Sequence, residues 1–526
     1  MEKIMKILLL ICFASALGSS TEPSRPCRLR KFDAGYVCVC TNDYCDTLNL
    51  PEWSDANEWM LVTSTESGQR FNFSFGNFKR QHGNSATISN ETHCEINQNV
   101  LHHEVLGFGG SITGAVSYLL SKLSANLREC IYKSYYTNDD GMGYTLMRMP
   151  IGGCDFDLVP WTYNETPEND AHLSNFTELH SKDVLRINLI KQLMNVSRNF
   201  DIKIVGVTWS PPRWMKQKGE WPGKNDNRLK TEYYQTWADY HLKWLDVMQN
   251  AGIPIWAIST GNEPNFAHFT PFMGLNWRPR DQAKWISQHL GPTLKNSKHA
   301  AVQIHTFDDN RDTLLAWLNE MNTSTDALSY VSAIGVHGYF DKETSPTILD
   351  ETKAKFPDKS ILQSEMCFGV TGPLSTTGPI LGSWTHFEEL TNMLFETLTH
   401  NVNGFLDWNI MLNMHGGPNY MNNVVDAMII VNDEFTEIYK QPLFYAAAHF
   451  TKFILPGSRR IQAIISGDNV GDLSSLAFLR PDHKVAAIFY NKHEQNTIFL
   501  RINDKRKGTF DIQIEPKSLY TLIYLI

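Results

Sequence analysis

The sequence lacks the short motifs that mark several large classes of enzyme. It contains no Walker loop, no Gly-x-Gly-x-x-Gly, no Gly-x-Ser-x-Gly and no His-Glu-x-x-His. The sequence therefore lacks the residues that phosphate-binding loops, dinucleotide-binding folds, serine esterases and zinc proteases require. No basic run or aromatic–basic alternation points to nucleic acid and the formal net charge is −9, so we expect no nucleic-acid partner. We expect no cofactor and no metal ion either.

Long hydrophobic runs are absent beyond the N-terminal segment. No later run reaches the roughly 18 apolar residues of a membrane-spanning helix, so we expect no transmembrane segment. At the start, Lys3 and Lys6 precede an apolar run over residues 7–13, and small residues follow the run. This pattern predicts a signal peptide over residues 1–20 and a mature protein in the secretory pathway. Six sequons are predicted glycosylation sites there: Asn72, Asn90, Asn164, Asn175, Asn195 and Asn322.

Cysteine is sparse outside one short stretch near the N-terminus. Four of the nine cysteines crowd there, at Cys27, Cys38, Cys40 and Cys45. An oxidising compartment favours two local disulfides among them, although spacing alone leaves the pairing open. A zinc site is the rival interpretation, but no histidine lies near these cysteines and the compartment argues against it.

The middle of the chain alternates between short apolar, β-branched runs and helical stretches. The clearest helical stretch is 234–248, where apolar residues fall on one face and Gly252 follows. Eight β-like runs occur, at 105–108, 144–149, 202–207, 255–258, 302–305, 333–336, 360–363 and 404–408. Eight such units predict a closed (β/α)8 TIM barrel, because an open, doubly wound sheet fits this number of strands less well.

The two flanks of this region show a different pattern. Residues 53–98 and about 458–526 alternate between apolar and polar residues and contain turn residues. We expect antiparallel strands there, which combine into one discontinuous, Ig-like β-sandwich built from both ends of the chain.

Polar and aromatic residues follow most of the predicted barrel strands. In such barrels the chemistry lies at the carboxyl ends of the strands. Six of the eight ends carry a group suited to a sugar: Asp155, Trp209, Asn262 with Glu263, His337, Glu365 and Trp408. Each alone is more often structural, and His337 is the weakest because a hydrogen-bonded core histidine is at least as common. Together they predict one site.

Two of these residues, Glu263 and Glu365, carry the functional prediction. A glycosidase needs one protonated carboxyl group that donates to the leaving oxygen and one carboxylate that attacks or activates water. A single glutamate after a strand is usually a solvated loop residue. Two glutamates at strand ends of one barrel instead predict hydrolysis of a glycosidic bond.

From Cys27 to its C-terminus the chain resembles the acid β-glucosidases that hydrolyse glucosylceramide. These form the glucosylceramidase family within glycoside hydrolase family 30. The segments that carry the resemblance occur in order at 36–40, 44–46, 107–110, 154–156, 209–211, 261–264, 407–409, 416–419 and 440–442. The resemblance implies a retaining hydrolase with Glu263 as acid/base and Glu365 as nucleophile. It implies these substrate-binding residues: Asp155, Trp209, Asn262, His337, Tyr339, Trp408 and Asn423.

The resemblance also implies how the chain is divided. Disulfides Cys27–Cys38 and Cys40–Cys45 would staple a small β-domain of residues 24–52 and 410–441. The β-sandwich would then comprise 53–98 and 458–526, and the catalytic barrel 99–409 and 442–457.

The implied substrate is glucosylceramide in membranes, with an anionic lipid surface and a saposin-type activator as partners. We expect the lysosome lumen as the location, with secretion as the alternative. Protonation of the 18 histidines would turn the net charge positive in an acidic lumen and attract the protein to anionic lipids.

Two departures from the family pattern bear on specificity. Gly338 stands between His337 and Tyr339 where the family has tryptophan, and Asn265 and Phe266 stand where it has small residues. We expect both changes at the rim of the pocket. An open rim would suit a related barrel that cleaves a polysaccharide such as β-1,6-glucan or xylan. The other alternative is a non-catalytic, lectin-like homologue, which the presence of both glutamates disfavours.

Overall fold

The computed structural model describes residues 24–52, 55–78, 92–199, 201–372 and 375–526. The predicted signal peptide, residues 1–20, and the sequon at Asn90 lie outside these ranges. Within them, no helix combines the length and the apolar character that crossing a membrane requires.

The secondary structure follows the alternation expected from the sequence. In chain order the strands are β1 (Leu29–Phe32), β2 (Gly35–Thr41), β3 (Glu58–Thr65), β4 (Asn72–Asn77), β5 (Thr92–Glu104), β6 (Gly107–Ser111), β7 (Leu146–Pro150), β8 (Lys203–Val207), β9 (Ile255–Ser259), β10 (Gln303–Asn310), β11 (Val331–His337), β12 (Ser360–Glu365), β13 (Val370–Gly372), β14 (Ser375–Thr376), β15 (Gly404–Asn409), β16 (Met411–Asn413), β17 (Ile429–Val431), β18 (Glu437–Lys440), β19 (Arg459–Ser466), β20 (Leu473–Leu479), β21 (Lys484–Asn491), β22 (Ile498–Asp504), β23 (Gly508–Ile514) and β24 (Ser518–Leu525). The α-helices are α1 (Gly114–Lys122), α2 (Ala125–Tyr136), α3 (Ser181–Ser197), α4 (Tyr234–Asn250), α5 (Pro279–Trp285), α6 (Gly291–Lys295), α7 (Leu314–Ser324), α8 (Thr347–Lys355), α9 (Trp384–Thr399) and α10 (Pro442–Thr451).

Eight parallel strands close into a barrel in the order β6, β7, β8, β9, β10, β11, β12 and β15. The ring closes where β15 pairs in parallel with β6. Every residue of β7 and β15 is buried, as expected for strands covered by side chains inside the ring and by helices outside it. Each of the eight apolar runs overlaps one of these strands, which confirms the predicted (β/α)8 barrel.

The helices pack on the barrel through large aromatic side chains. On α4, Trp237, Tyr240 and Trp244 are buried. The Trp244 ring lies so close to Gly206 of β8 that a Cβ at Gly206 would be 2.5 Å from it. The helix runs two residues past the predicted 234–248 and is followed by Gly252, whose φ of 74° lies in the left-handed region that terminates helices.

A nine-stranded sheet combines both ends of the chain in the order β23-β22-β5-β19-β20-β21-β24-β3-β4. The sheet curls so that its two ends meet: Trp59 of β3 stacks on Phe510 of β23 at 5.3 Å, and Phe78 contacts Phe510 at 5.1 Å. This closure forms an apolar core separate from that of the barrel. The predicted discontinuous β-sandwich is therefore confirmed.

A smaller sheet has the order β1-β2-β18-β17-β16 and so joins N-terminal strands to the segment after β15. Disulfides connect Cys27 to Cys38 and Cys40 to Cys45, the pairing that the resemblance implied. The stapled segment is also tied to β18, because the buried Lys440 forms an ion pair with Asp46 at 3.0 Å.

The described sequons differ in exposure. Four asparagines are exposed: Asn72, Asn175, Asn195 and Asn322. Asn164 is 8% exposed, and its Nδ2, the atom that a glycan would modify, donates to the backbone oxygen of Asp170 at 3.5 Å. Glycosylation stays a prediction, and Asn164 is the site that the fold favours least.

Gly109 marks a point where two barrel strands leave no space for a side chain. A Cβ at Gly109 would lie 2.1 Å from the backbone oxygen of Leu146 in β7. We expect Gly109→Ala to force β6 and β7 apart and to destabilise the protein by about 3 kcal/mol. Gly471→Ala is the control, because a Cβ there meets nothing within 4 Å. Calorimetry measures both thermal midpoints, and equal midpoints would contradict this packing.

Candidate active site

The barrel brings most of the predicted site residues to one cavity at the carboxyl ends of its strands. The cavity has a volume of about 230 Å³. Seven predicted residues line it: Asp155, Asn262, Glu263, Tyr339, Glu365, Trp408 and Asn423. Trp209 and His337 do not line it; they lie behind this wall, in contact with residues that do.

Glu263 and Glu365 enter the cavity from the two ends of the barrel segment formed by β9, β10, β11 and β12. Glu365 is the last residue of β12, and Glu263 lies four residues after the end of β9. A carboxylate oxygen of each lies within 4.8 Å of the other. Both side chains are largely buried, at 6% and 5% exposure. Two carboxyl groups therefore face one small volume from which most water is excluded.

An unusual backbone turn presents Glu263. Gly261 and Glu263 have φ values of 134° and 47°, in the left-handed region that favours glycine. Hydrogen bonds hold the turn: the Asn262 N–H donates to the Thr208 oxygen at 2.8 Å, and the Glu263 N–H donates to the Asp308 oxygen at 2.9 Å. Backbone strain of this kind clusters at functional sites, where surrounding contacts maintain it.

Arg148 of β7 is the cation beneath the site, and the sequence analysis missed it. It is fully buried and donates to Glu365, to Asn262 Oδ1 at 2.6 Å and to Asp308 Oδ2 at 3.2 Å. Its guanidinium lies 4.9 Å from the Trp209 ring. One side chain thus fixes the orientation of several others. An arginine within an otherwise apolar strand was the signal that could have identified it.

Asp308 of β10 is the second residue that the sequence analysis missed. The predicted run 302–305 stopped short of the true strand end at Asn310. Near that end Phe307 and Asp308 have positive φ values and the pairing with β11 shifts register, which turns Asp308 into the barrel. Burial alone would raise the pKa of Asp308, but Arg148 and His337 hold it well below its usual range.

His337 bridges two acidic groups. Its Nδ1 lies 3.1 Å from Glu263 Oε1 and its Nε2 lies 3.2 Å from Asp308 Oδ1. Burial alone would lower the pKa of His337, but Glu365, Asp308 and Glu263 outweigh it and raise the pKa to about 10. Both ring nitrogens then carry protons and donate to the carboxyl groups of Glu263 and Asp308. His337 therefore places positive charge between Glu263 and Asp308.

Tyr339 contacts Glu365 from the cavity wall. Its hydroxyl donates to Glu365 Oε1 at 2.9 Å and lies 3.5 Å from Cys367 Sγ. Burial raises the pKa of Glu365, whereas His337, Arg148 and the Tyr339 hydroxyl oppose that rise. Glu365 thus has three partners that stabilise its carboxylate form.

The far side of the cavity combines polar and aromatic groups. Asp155 accepts a hydrogen bond from Asn423 Nδ2 at 3.4 Å, and burial together with Glu365 and Glu263 raises the pKa of Asp155 to about 8. The rings of Trp209 and Trp408 stack 5.3 Å apart. Indole faces and carboxyl groups are the usual contacts of a bound sugar, so the wall suits a pyranose ring.

The two departures from the family pattern occupy different places. Phe266 lines the cavity, as expected for a rim position. Gly338 does not, so its expected rim position is wrong; it lines an adjoining cavity behind Tyr339. A Cβ at Gly338 would lie 2.6 Å from Gln363 Nε2 and 2.9 Å from Met366 Sδ. Both contacts are with the ends of flexible side chains, and the glycine does not lie in the wall of the cavity that Glu263 and Glu365 share.

Known proteins resemble this chain over nearly all of its length. Two family models match: the glycosyl hydrolase family 30 TIM-barrel domain over residues 105–454 and the family 30 beta sandwich domain over 457–522. Lysosomal acid glucosylceramidase of Mus musculus is 32% identical over 509 residues, 95% of this chain and 96% of that protein. Putative glucosylceramidase 4 of Caenorhabditis elegans is 32% identical over 529 residues, 99% of each chain. A solved structure titled the endo-beta1,6-glucanase BT3312 has a TM-score of 0.77 at 22% identity, covering 89% of this chain and 99% of that one.

The charge of His337 gives a direct test of the site's electrostatics. With a pKa raised to about 10, His337 should stay protonated from pH 5 to 8. The control is His449, which hydrogen-bonds the Thr521 and Ser64 hydroxyls and whose pKa burial lowers to about 3. NMR of ¹⁵N-labelled histidine, assigned through His337→Gln and His449→Gln, should show a constant imidazolium at one and a constant neutral ring at the other. Titration of His337 near pH 6.5 would contradict the ion network.

Proposed function

The chain belongs to glycosyl hydrolase family 30, and on this premise we propose that it is a retaining β-glucosidase that hydrolyses glucosylceramide to glucose and ceramide. The observation that carries the proposal is the approach of Glu263 and Glu365 to within 4.8 Å. Retaining glycosidases hold their two carboxyl groups about 5–5.5 Å apart, whereas inverting enzymes need about 6.5–9.5 Å to admit a water molecule. The short separation favours attack by one carboxylate on the sugar itself.

Glu365 is the nucleophile in this proposal. Its carboxylate attacks the anomeric carbon and displaces the ceramide oxygen, which forms a glycosyl ester. Contacts with Arg148 and Tyr339 favour the ionised form that attack requires. Since Arg148 also holds Asn262, the same cation orients the amide that would donate Nδ2 to the sugar 2-hydroxyl.

Glu263 is the acid/base. It protonates the leaving ceramide oxygen in the first step and removes a proton from water in the second, when that water releases glucose from Glu365. Forming the ester removes the negative charge of Glu365. Glu263, which has given up its proton to the leaving group, then faces an uncharged ester and can accept a proton from water.

The remaining wall residues hold the glucose ring. Asp155 and Asn423 face its far hydroxyl groups, with Trp408 beside them in the cavity wall. Because its pKa is raised to about 8, Asp155 carries a proton at acidic pH and can donate as well as accept. Trp209 and His337 act from behind, by packing on Trp408 and by contacting Glu263.

The rim of the cavity favours a lipid aglycone over a polysaccharide. Apolar side chains dominate it: Phe266, Pro271, Phe272, Phe340, Val370, Met421 and Val425. Phe266 contacts Phe340 at 5.7 Å and the 62% exposed Phe269 at 6.1 Å, so the apolar surface extends outward from the mouth. A polysaccharide groove needs further polar and stacking sites for successive sugars. The retention of both carboxyl groups disfavours a lectin-like role.

We propose the lysosome lumen as the location, with secretion as the alternative, and membranes as the source of the substrate. The net charge gained by histidine protonation at acidic pH is smaller than the composition alone implied. His103, His241, His305 and His449 have pKa values lowered by burial to about 3–4, so they add no charge at mildly acidic pH. Attraction to anionic lipid and activation by a saposin-type protein are proposals that rest on the resemblance.

Replacing either carboxyl group should abolish turnover without unfolding the protein. We expect Glu365→Gln and Glu263→Gln each to lower kcat on an aryl β-glucoside by about 1,000-fold or more, because each removes an essential chemical step. Azide should partly restore Glu365→Gln as a glycosyl azide of inverted configuration. The exposed Glu351 of α8 provides the control Glu351→Gln. Turnover near wild type in either active-site variant would refute the roles.

The substrate class is tested by direct comparison. We expect hydrolysis of glucosylceramide in mixed micelles at acidic pH, with β-glucose as the first product by NMR, and no release from β-1,6-glucan or xylan. Replacing apolar rim residues, as in Phe266→Ser, should raise KM for the lipid more than for a small aryl glucoside. Preference for a polysaccharide would replace the lipid assignment, and α-glucose as first product would refute retention.

A further inference from the structure

Lys216 is a buried cation that the proposed chemistry does not use. It is 1% exposed. Its Nζ lies within hydrogen-bond distance of four oxygens: Trp221 O at 2.6 Å, Gly274 O at 2.7 Å, Pro222 O at 3.2 Å and Ser210 Oγ at 3.3 Å. All four acceptors are neutral. In the described part of the chain, Glu165 and Glu220 act on Lys216 only through longer-range attraction. A charge buried on neutral acceptors is costly, so this arrangement calls for a role.

The acceptors lie on three loop segments behind one wall of the sugar cavity. Ser210 directly follows Trp209, which stacks on the cavity-lining Trp408. Gly274 lies two residues after Phe272, which lines the cavity. Lys216 therefore connects the backbone just beyond Phe272, which lines the cavity, with the backbone just beyond Trp209, which packs behind it.

The third segment, which contains Trp221 and Pro222, lies between the other two. Pro222 forms a β-bridge with Met273, and the Gly274 N–H donates to Trp221 O at 3.1 Å. Trp221 O thus accepts from both Gly274 and Lys216. Asn227 Nδ2 also donates to Pro222 O at 2.7 Å, but it contacts only this segment, whereas Lys216 Nζ reaches all three.

We propose that Lys216 is a positioning residue whose ammonium group ties these three segments together. The tie holds Phe272 in the cavity wall and holds Trp209 behind the wall, where it supports Trp408. The tie itself is a feature of the fold. It rests on the proposed function only in taking a β-glucoside as the ligand that the wall contacts.

The tie depends on the charge of Lys216. An ammonium group has three N–H donors for its acceptors, whereas a neutral amine has two donors and a lone pair that repels the remaining oxygens. Burial lowers the pKa of Lys216 to about 7, with Glu165 and Glu220 opposing this. Arg213 pairs with Glu165 at 2.6 Å, and Lys230 donates to Trp214 O at 3.0 Å. The tie is therefore complete at acidic pH and loosens as the pH rises through about 7.

The same pKa shows that the tie does not serve global stability at acidic pH. The folded-state pKa of about 7 lies below the ordinary value of 10.5. The folded state thus binds this proton less tightly than the unfolded state does. The contribution of Lys216 to the free energy of unfolding therefore rises between pH 7 and pH 10.5 and is lowest below pH 7. If Lys216 serves to position the wall, its ammonium group should reduce the mobility of the three segments without raising the thermal midpoint at acidic pH.

The first test is hydrogen–deuterium exchange of the segment 271–275 at several pH values, corrected for intrinsic rates. In the wild type we expect slow exchange at pH 5 and exchange about tenfold faster at pH 8. Lys216→Met should exchange fast at both pH values with no loss of thermal midpoint at pH 5. Wild-type exchange that does not change with pH overturns the proposal, whether or not the variant folds.

Lys452 offers a matched control, because backbone oxygens of Asn138, Asp139 and Gly141 surround its Nζ and burial lowers its pKa to about 8. It lies at the end of α10, away from residues that line the sugar cavity. Lys452→Met should change exchange at 138–141 and leave 271–275 as in the wild type. An equal effect of both variants on 271–275 would show a general loosening and overturn the proposal.

Steady-state kinetics test whether the tie affects substrate binding. On an aryl β-glucoside, Lys216→Met should raise KM about tenfold at pH 5, leave kcat within about twofold, and abolish the wild-type rise of KM above pH 7. Lys452→Met should keep the wild-type profile. An unchanged KM profile in Lys216→Met overturns the link to the wall. If the wild type cleaves no glycoside, the proposed function fails while the exchange data still decide the role of Lys216.

Discussion

The close approach of two buried carboxyl groups is the constraint on which the rest of the structure depends. Glu263 and Glu365 each have a carboxyl oxygen within 4.8 Å of the other, so if both were ionised they would repel each other by at least about 3.5 kcal/mol at an effective dielectric constant of about 20. Arg148 and His337 supply the opposing charge, and Asp308 holds both cations in place. The site is therefore a network of alternating charges in which removal of one member leaves another buried and unpaired.

Only a closed barrel can assemble this network. Its members come from β7, the turn after β9, β10, β11 and β12, and their side chains meet inside the ring rather than along one strand pair. Local distortions then aim the groups: left-handed backbone at Glu263 and a register shift beside Asp308. The β-sandwich and the disulfide-stapled sheet contribute no residue to the ion network. This division resembles other barrels, in which the ring sets geometry and the loops set specificity.

Much of the fold and the centre of the site could be predicted from the sequence. The runs ending near Glu263 and Glu365 were short, apolar and separated from the other runs by helical stretches, which is enough to indicate barrel strands and their polar ends. Arg148 and Asp308 escaped prediction for different reasons. A charged residue inside an apolar run was assigned to the strand as a whole, and a bulge extended β10 beyond its predicted end. Gly338 was misplaced because its neighbours in space, Gln363 and Met366, are remote in sequence.

The sequence by itself determined the alternation of strands and helices, the two carboxyl groups at strand ends and the membership of a family, because these depend on periodicity and on the order of residue types. Tertiary structure alone decided which groups are charged. Burial and Coulomb interactions depend on distance through space and on exclusion of water, so His337 is a cation while His449 is neutral, although both are fully buried histidines. Tertiary structure likewise decided that Lys216, one lysine among many in the sequence, lies buried among three backbone oxygens and the Ser210 hydroxyl behind the cavity wall.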